Sequence, residues 1–222
     1  GITFLINFLN LSLSLFMNLR EDWERAWLKR PNKLSSSFYS FLYSIDIRNS
    51  EKILDVGCGD WKRADSLLKR GGWIIGCDIA YNALRMAKDN SKSYENKIDL
   101  VQCDARYLPF RDNVFDKVIS FETLPHICDG YEKVLEEISR TTKKYVIFTA
   151  LHKEYFYAFD DKKKSSHIVA FDEKEIKLLV EKVGLSIEFM KILTTRDTYE
   201  KGTVPYYMNI KDAIYVVARK FK

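Results

Sequence analysis

What the sequence lacks narrows its class first. Its four cysteines are Cys58, Cys77, Cys103 and Cys128, and no two have C-x-x-C spacing, so no metal site is expected. Three of them lie in or beside apolar strand-like runs and read as small buried hydrophobes in a reducing cytoplasm. Internal repeats and low-complexity tracts are absent. The first 16 residues, GITFLINFLNLSLSLF, carry no charge. They have neither the basic start nor the clear cleavage site of a signal peptide. As a membrane span they are short and broken by Asn7, Asn10, Ser12 and Ser14, so no span is expected. Packing on the body of the protein, or on a second copy to form a homodimer, is expected instead. Gly1 is no initiator residue, and Met17 is the expected natural start. A native terminus before residue 17 would contradict that.

What is present suits a globular chain of one domain with an added segment. Of the 222 residues, 46% are hydrophobic and 30% charged, enough for a sizeable core. The formal charge of +5 permits an anionic partner without demanding one. Lys162, Lys163 and Lys164 read as a solvated loop rather than a nucleic-acid contact. Residues 20–30 place Trp23, Ala26 and Trp27 on one helical face, and residues 35–45 do the same with Phe38, Phe41, Leu42 and Ile45.

From Glu51 the pattern alternates between strand and helix. KILDVG is a short buried strand, and Asp60 can cap a helix carrying Ala64, Leu67 and Leu68, closed by Gly71. WIIGCD, IDLVQCD, FDKVISF and KYVIFTA are four further strands, with a helix over 80–89 that turns Ala83, Leu84 and Ala87 inward. Asp129 with Glu132, and Asp172 with Glu175, are spaced as capping boxes ahead of two more helices. The first of these carries Val134, Leu135 and Ile138; the second carries Ile176, Leu179, Val180 and Val183 and ends at Gly184. LSIEFMKIL and DAIYVVARK follow with no helix between them and predict an antiparallel pair closing the sheet. The fold class is therefore α/β, a doubly wound sheet whose ligand crevice lies beyond the carboxyl ends of the strands. Asp55, Asp78 and Asp104 fall at the ends of the first three strands and should face that crevice.

The turn DVGCGDW after the first strand raises the central question. Gly57 and Gly59 let the backbone approach a ligand, and Asp78, 19 residues after Gly59, can accept two hydrogen bonds from ribose hydroxyls. That much fits a nicotinamide dinucleotide or another adenosine compound. Asp104 separates them, because an acid followed by a small residue, as in CDAR, suits an adenine edge. A dehydrogenase is disfavoured, since nothing after residue 150 reads as a separate substrate domain.

On these residues the chain resembles the class I S-adenosylmethionine-dependent methyltransferases, in particular the ubiquinone- and menaquinone-biosynthesis group. ILDVGCG is similar to the family's first motif, IIGCDIAYNALRMAK to its ribose-binding acid and helix, and DARYLPFRDNVFDKVISFETLPHI to its adenine motif and fourth strand. HIVAFDEKEIKLLVEKVGL is similar to the segment opening its fifth helix. The resemblance implies seven strands in the order 3-2-1-4-5-7-6. It also implies two parts: residues 1–48, an apolar segment and helical lid, and residues 49–222, the Rossmann-like domain. Asp55, Gly57, Cys58 and Gly59 would line the amino-acid end of the donor, Asp78 would bind ribose, and Ile79 would lie against adenine. Asp104 and Ala105 would meet the adenine edge, and Phe121 and Glu122 would border the methyl-transfer space. Two departures stand out. The family follows G-C-G with Thr-Gly or Ser-Gly, where this chain has Asp60-Trp61. Trp61 has to point away from the donor or narrow its methionine end. The fifth strand is usually entered through Lys-Pro-Gly-Gly, here TTKKY.

Methyl transfer from a sulfonium is an in-line displacement in which the protein mainly aligns nucleophile and methyl. His126, just past the fourth strand, is the candidate catalytic base, with Glu122 and His167 as weaker ones, and Tyr39 and Tyr43 could line the acceptor pocket. FETLPHI is neither the Asn/Asp-Pro-Pro-Tyr pattern of enzymes acting on planar amino groups nor a Pro-Cys nucleophile. A small-molecule acceptor is therefore expected. A tRNA nucleoside is the alternative, because Leu-Pro-Phe-Arg-Asp also occurs in wobble-uridine methyltransferases. A non-catalytic relative that binds a partner is the reading from a different class.

Overall fold

The computed structural model describes residues 20–22, 24–25, 46–61, 65–70, 72–155, 168–194 and 211–221. The apolar first 16 residues, most of the 20–30 helix, the 35–45 helix, Ala64 and Gly71 lie outside them. Residues 20–22 and 24–25 are helical, as the pattern predicts.

Strands β1 (Lys52–Val56), β2 (Trp73–Asp78), β3 (Ile98–Gln102), β4 (Phe115–Ser120), β5 (Thr142–Leu151), β6 (Leu185–Thr194) and β7 (Lys211–Lys220) form one sheet. Its order is β3-β2-β1-β4-β5-β7-β6, as expected. The first five strands pair in parallel, and β7 runs antiparallel to both β5 and β6. Crossovers run one way from β1 to β3 and the other way from β4, so the switch point opens between β1 and β4.

Alternation along the strands builds a core on each face. Leu54 and Val56 of β1 join Val118, Val146 and Phe148 on one face. Helices α3 (Tyr131–Thr141) and α4 (Glu173–Lys182) cover it with Val134, Leu135, Ile138, Ile176 and Val180. Ile53 joins Ile74, Ile119 and Ile147 on the other. There Leu67 and Leu68 of α1 (Asp65–Leu68) and Ala87 of α2 (Tyr81–Asn90) complete the layer. Ala83, Leu84 and Ala87 of α2 are buried, as predicted.

The two predicted capping boxes come out differently. Asp172 caps α4: its carboxylate accepts from the Lys174 and Glu175 amides at 3.0 Å, and the Glu175 side chain accepts from the Asp172 amide at 2.8 Å. At α3 the box does not form. Its N-cap is Gly130, at φ 91°, with no side-chain cap. A Cβ at Gly130 would come within 2.9 Å of Arg106 Cδ, so the crowded entry favours glycine as the cap. Glu132 instead meets Lys182 of α4 at 3.2 Å. TTKKY replaces a loop altogether. Helix α3 ends at Thr141 and β5 begins at Thr142, each threonine hydroxyl donating to a nearby backbone carbonyl.

One element of the N-terminal region reaches the domain. The N-cap of α2, Ala80, offers no side-chain hydrogen bond. The Glu24 carboxylate accepts from the Tyr81 and Asn82 amides at 2.6 and 2.9 Å and caps the helix from 57 and 58 residues away.

Candidate functional site: the carboxyl ends of the first three strands

The turn after β1 is built on left-handed backbone. Gly57 and Gly59 sit at φ 72° and 59°, and the Gly57 and Cys58 amides both donate to the Cys77 carbonyl, at 2.8 and 3.0 Å. Glycine is required at position 57 twice over, since a Cβ there would fall 2.0 Å from Thr123 Oγ1. Gly57→Ala is expected to destabilise the protein by about 2 kcal/mol, lowering the melting temperature by ~5 °C. An unchanged melt in differential scanning calorimetry would contradict the packing described.

Asp78 ends β2 and ties this turn down. Its Oδ2 accepts from the Gly59 amide at 3.0 Å and its Oδ1 from the Ala80 amide at 2.9 Å. Burial raises its pKa, the amide hydrogen bonds oppose that rise, and the Glu24 charge adds to it. Ile79 follows, its carbonyl accepting from Gln102.

Asp55, in β1, is only 8% exposed. Burial pushes its carboxyl up to about 7, against the lowering effect of a hydrogen bond from Trp61 and with help from the Asp78 charge. Trp61 Nε1 donates to Asp55 Oδ2 at 2.8 Å. The ring points neither outward behind Asp60 nor freely into the crevice. It is 4% exposed and packs in the layer of Ile53, Ile74, Leu67 and Leu68. Gly76 of β2 makes room, since a Cβ there would lie 2.4 Å from Trp61 Cζ2. Trp61 itself holds φ 50°, which costs a non-glycine residue roughly 1–2 kcal/mol. The backbone thus keeps a conformation suited to the family's usual glycine while carrying a tryptophan. Asp60 lies in the turn, ahead of α1 as described from Asp65. Burial pushes the Cys58 thiol well up, so it stays a neutral thiol.

Asp104 follows β3 and is 7% exposed, but it is not bare. Arg106 grips it from two residues on, with Nη2 2.6 Å from Oδ2 and Nε 3.0 Å from Oδ1, while the Arg106 amide donates to Oδ1 at 2.9 Å. These bonds push the Arg106 guanidinium further up. Sequence reasoning missed this partner, although an arginine at i+2 within CDAR was the available signal. Ala105, between them, is half-buried. The Leu-Pro-Phe turn that follows is pinned from α3. The Leu108 amide donates to Glu137 Oε2 at 2.8 Å, and Arg140 donates to the Phe110 and Leu108 carbonyls at 2.7 and 3.0 Å.

Beyond β4, Phe121 is half-buried and stacks on Tyr215 of β7 with centroids 6.4 Å apart. Phe189 of β6 meets Tyr215 edge-on at 6.3 Å. Glu122 takes φ 53° and its amide donates to Thr149 Oγ1 at 2.9 Å. His126 closes a short 3-10 turn (Leu124–His126), half-buried beyond the end of β4. His167, Tyr39 and Tyr43 lie outside the described residues. His152, after β5, is buried and spoken for: Nδ1 accepts from the Glu154 amide at 3.0 Å and Nε2 meets Glu173 at 3.3 Å. The depression lined by Asn49, Gly72, Trp73, Asn96 and Lys97 lies at the opposite, amino-terminal end of the strands.

A sheet of this order, with a glycine turn after β1 and acids on β1, at the end of β2 and just after β3, has the fold of the class I methyltransferases. Residues 54–149 match the family described as "Methyltransferase domain". In sequence the chain is similar to methyltransferases of ubiquinone and menaquinone biosynthesis. It is 37% identical over 125 residues to a demethylmenaquinone methyltransferase of Staphylococcus carnosus, covering 55% of this chain and 47% of that enzyme. It is 27% identical over 192 residues to the ubiquinone/menaquinone biosynthesis C-methyltransferase UbiE of Haemophilus ducreyi, covering 79% of this chain and 73% of that one. The chain thus spans about half the length of the first of these relatives. Among solved structures, the magnesium protoporphyrin IX methyltransferase of Synechocystis PCC 6803, with bound SAH, shares the fold at a TM-score of 0.66 and 14% identity, with both chains covered fully.

Proposed function

We propose that the chain binds S-adenosylmethionine across the carboxyl ends of β1, β2 and β3 and transfers its methyl group to a small-molecule acceptor arriving beyond β4. The carrying observation is Asp55. It is buried, yet among the described residues only its Oδ2 takes a hydrogen bond, from Trp61. A buried carboxylate oxygen without a donor is costly, and a ligand ammonium at Oδ1 supplies the missing partner. Asp78 takes the ribose diol, with its two amide bonds already orienting both oxygens. Ile79, Asp104 and Ala105 border the adenine, with Arg106 sharing the Asp104 carboxylate.

When bound, S-adenosylmethionine supplies a methyl group already activated on a sulfonium. The chain then has to hold the acceptor in line and keep water out, and orientation alone can contribute up to ~7–11 kcal/mol. His126 takes the acceptor's proton where the acceptor is protonated at working pH. Phe121, Tyr215 and Phe189 form an aromatic row from the end of β4 toward the sheet edge. Tyr215 is buried in the core, so Phe121, half-buried at the end of β4, is the ring of this row that can meet a planar, apolar acceptor. The free cysteines support a cytoplasmic location. No helix among the described residues is long and apolar enough to cross a membrane.

Calorimetric titration with S-adenosylmethionine and S-adenosylhomocysteine (SAH) tests the donor. Absence of binding by both defeats the enzyme reading and leaves a partner-binding protein of the same fold. Labelled donor incubated with native cell extract then tests the acceptor. Label recovered by solvent extraction is expected, and label released by nuclease would return the acceptor to RNA.

A further inference from the structure

We propose that Trp61 is a positioning residue for the amino-acid end of the donor: its indole N–H holds one oxygen of Asp55 so that the other faces the ligand's ammonium. This rests on the donor reading above, and three observations carry it further. The residue keeps a left-handed backbone, φ 50°, that a side chain this large rarely adopts, so its placement is held against local preference by its surroundings. Its ring fits a slot that exists only because position 76 of β2 has no side chain, and its Cζ2 and Cε2 atoms lie 2.4 and 2.8 Å from where a Cβ would stand. Its one polar atom, Nε1, makes a 2.8 Å bond to Asp55 Oδ2.

The geometry ties two functions to one side chain. The apolar part of the indole fills the layer between the sheet and α1. The N–H fixes the rotation of a buried carboxylate whose other oxygen, among the described residues, has no hydrogen bond. Phenylalanine at position 61 would still fill the slot, but would release Asp55 to rotate and leave both oxygens without a donor. The loss should therefore fall on ligands that carry the amino-acid tail and spare those that do not.

The test compares SAH with 5′-methylthioadenosine, which has the same nucleoside and no ammonium, on wild-type protein and Trp61→Phe. SAH affinity is expected to fall about tenfold in the variant, with 5′-methylthioadenosine unchanged within about twofold. Equal weakening of both ligands, or no change in either, overturns the proposal. In ¹⁵N-labelled wild-type protein, the Trp61 indole N–H resonance, assigned through its contact with the Gly76 α protons, provides a readout needing no variant. SAH should shift it and 5′-methylthioadenosine should leave it nearly in place. A resonance that both ligands move equally, or that bound SAH does not move, overturns the proposal as well. Failure of wild-type protein to bind either ligand removes the donor reading itself, and this proposal with it.

Discussion

Replacing Asp78 with asparagine is expected to weaken SAH binding at least about 100-fold while lowering the melting temperature by only a few degrees. Each carboxylate oxygen already accepts one backbone amide, from Gly59 and from Ala80, and has one acceptor direction left. Two ribose hydroxyls donating there form charge-assisted hydrogen bonds of roughly 1.5–3 kcal/mol each, so losing them costs two or more powers of ten. Asparagine keeps the shape but places an NH₂ group against one of the two backbone amides. The Gly57–Gly59 turn or the start of α2 must then loosen. Isothermal titration separates the two effects, and SAH affinity within about threefold of wild type would remove Asp78 from the ribose site.

The second large effect concerns stability and pH. Asp55 has a folded pKa of about 7 against an ordinary aspartate value of 3.8, because burial disfavours its charged form. Well below its ordinary value of 3.8 the carboxyl is protonated in both states and contributes no pH dependence. As pH rises from there, the unfolded chain ionises first and gains free energy that the folded chain does not share. Stability is lost progressively until about pH 7 and then stays low. The full difference is roughly 2–4 kcal/mol. The gain in melting temperature of Asp55→Asn over wild type should be several degrees larger at pH 8 than at pH 4.5, in the absence of ligand. Equal melting differences at both pH values would show that Asp55 ionises normally. The same substitution should weaken SAH binding, because an amide is a poor partner for an ammonium.

Much of the fold was legible because short, largely apolar runs such as KILDV and FDKVIS, bounded by turns and helical patterns, are buried on both faces of the sheet. The capping boxes show where local spacing stops being sufficient. Asp172 and Glu175 closed around an otherwise open helix start. The equally spaced Asp129 and Glu132 did not, because α3 starts one residue later, with the left-handed Gly130 as its N-cap. The acids at the strand ends were legible from their positions, whereas their partners were not. Whether Trp61 turned out, in, or down onto the sheet depended on a missing Cβ at Gly76 and on Asp55. Asp55 opens the same stretch, DVGCGDW, but Gly76 lies on the next strand, and its missing Cβ cannot be read from that stretch alone. Asp104 looked like an open adenine acceptor although Arg106, two residues on in CDAR, was there to fold back on it.

Glu24 changes what it means to trim this protein. The pattern of residues breaks near position 48, where an apolar and helical beginning gives way to strands. The hydrogen bonding does not break there. Two amides at the first turn of α2 are satisfied by a carboxylate from the other side of that boundary, next to the acid assigned to ribose. A fragment starting at residue 49 would keep every strand of the sheet yet leave those two amides at the start of α2 to water. Trimming the chain at that boundary removes the carboxylate that caps α2 while leaving all seven strands in place.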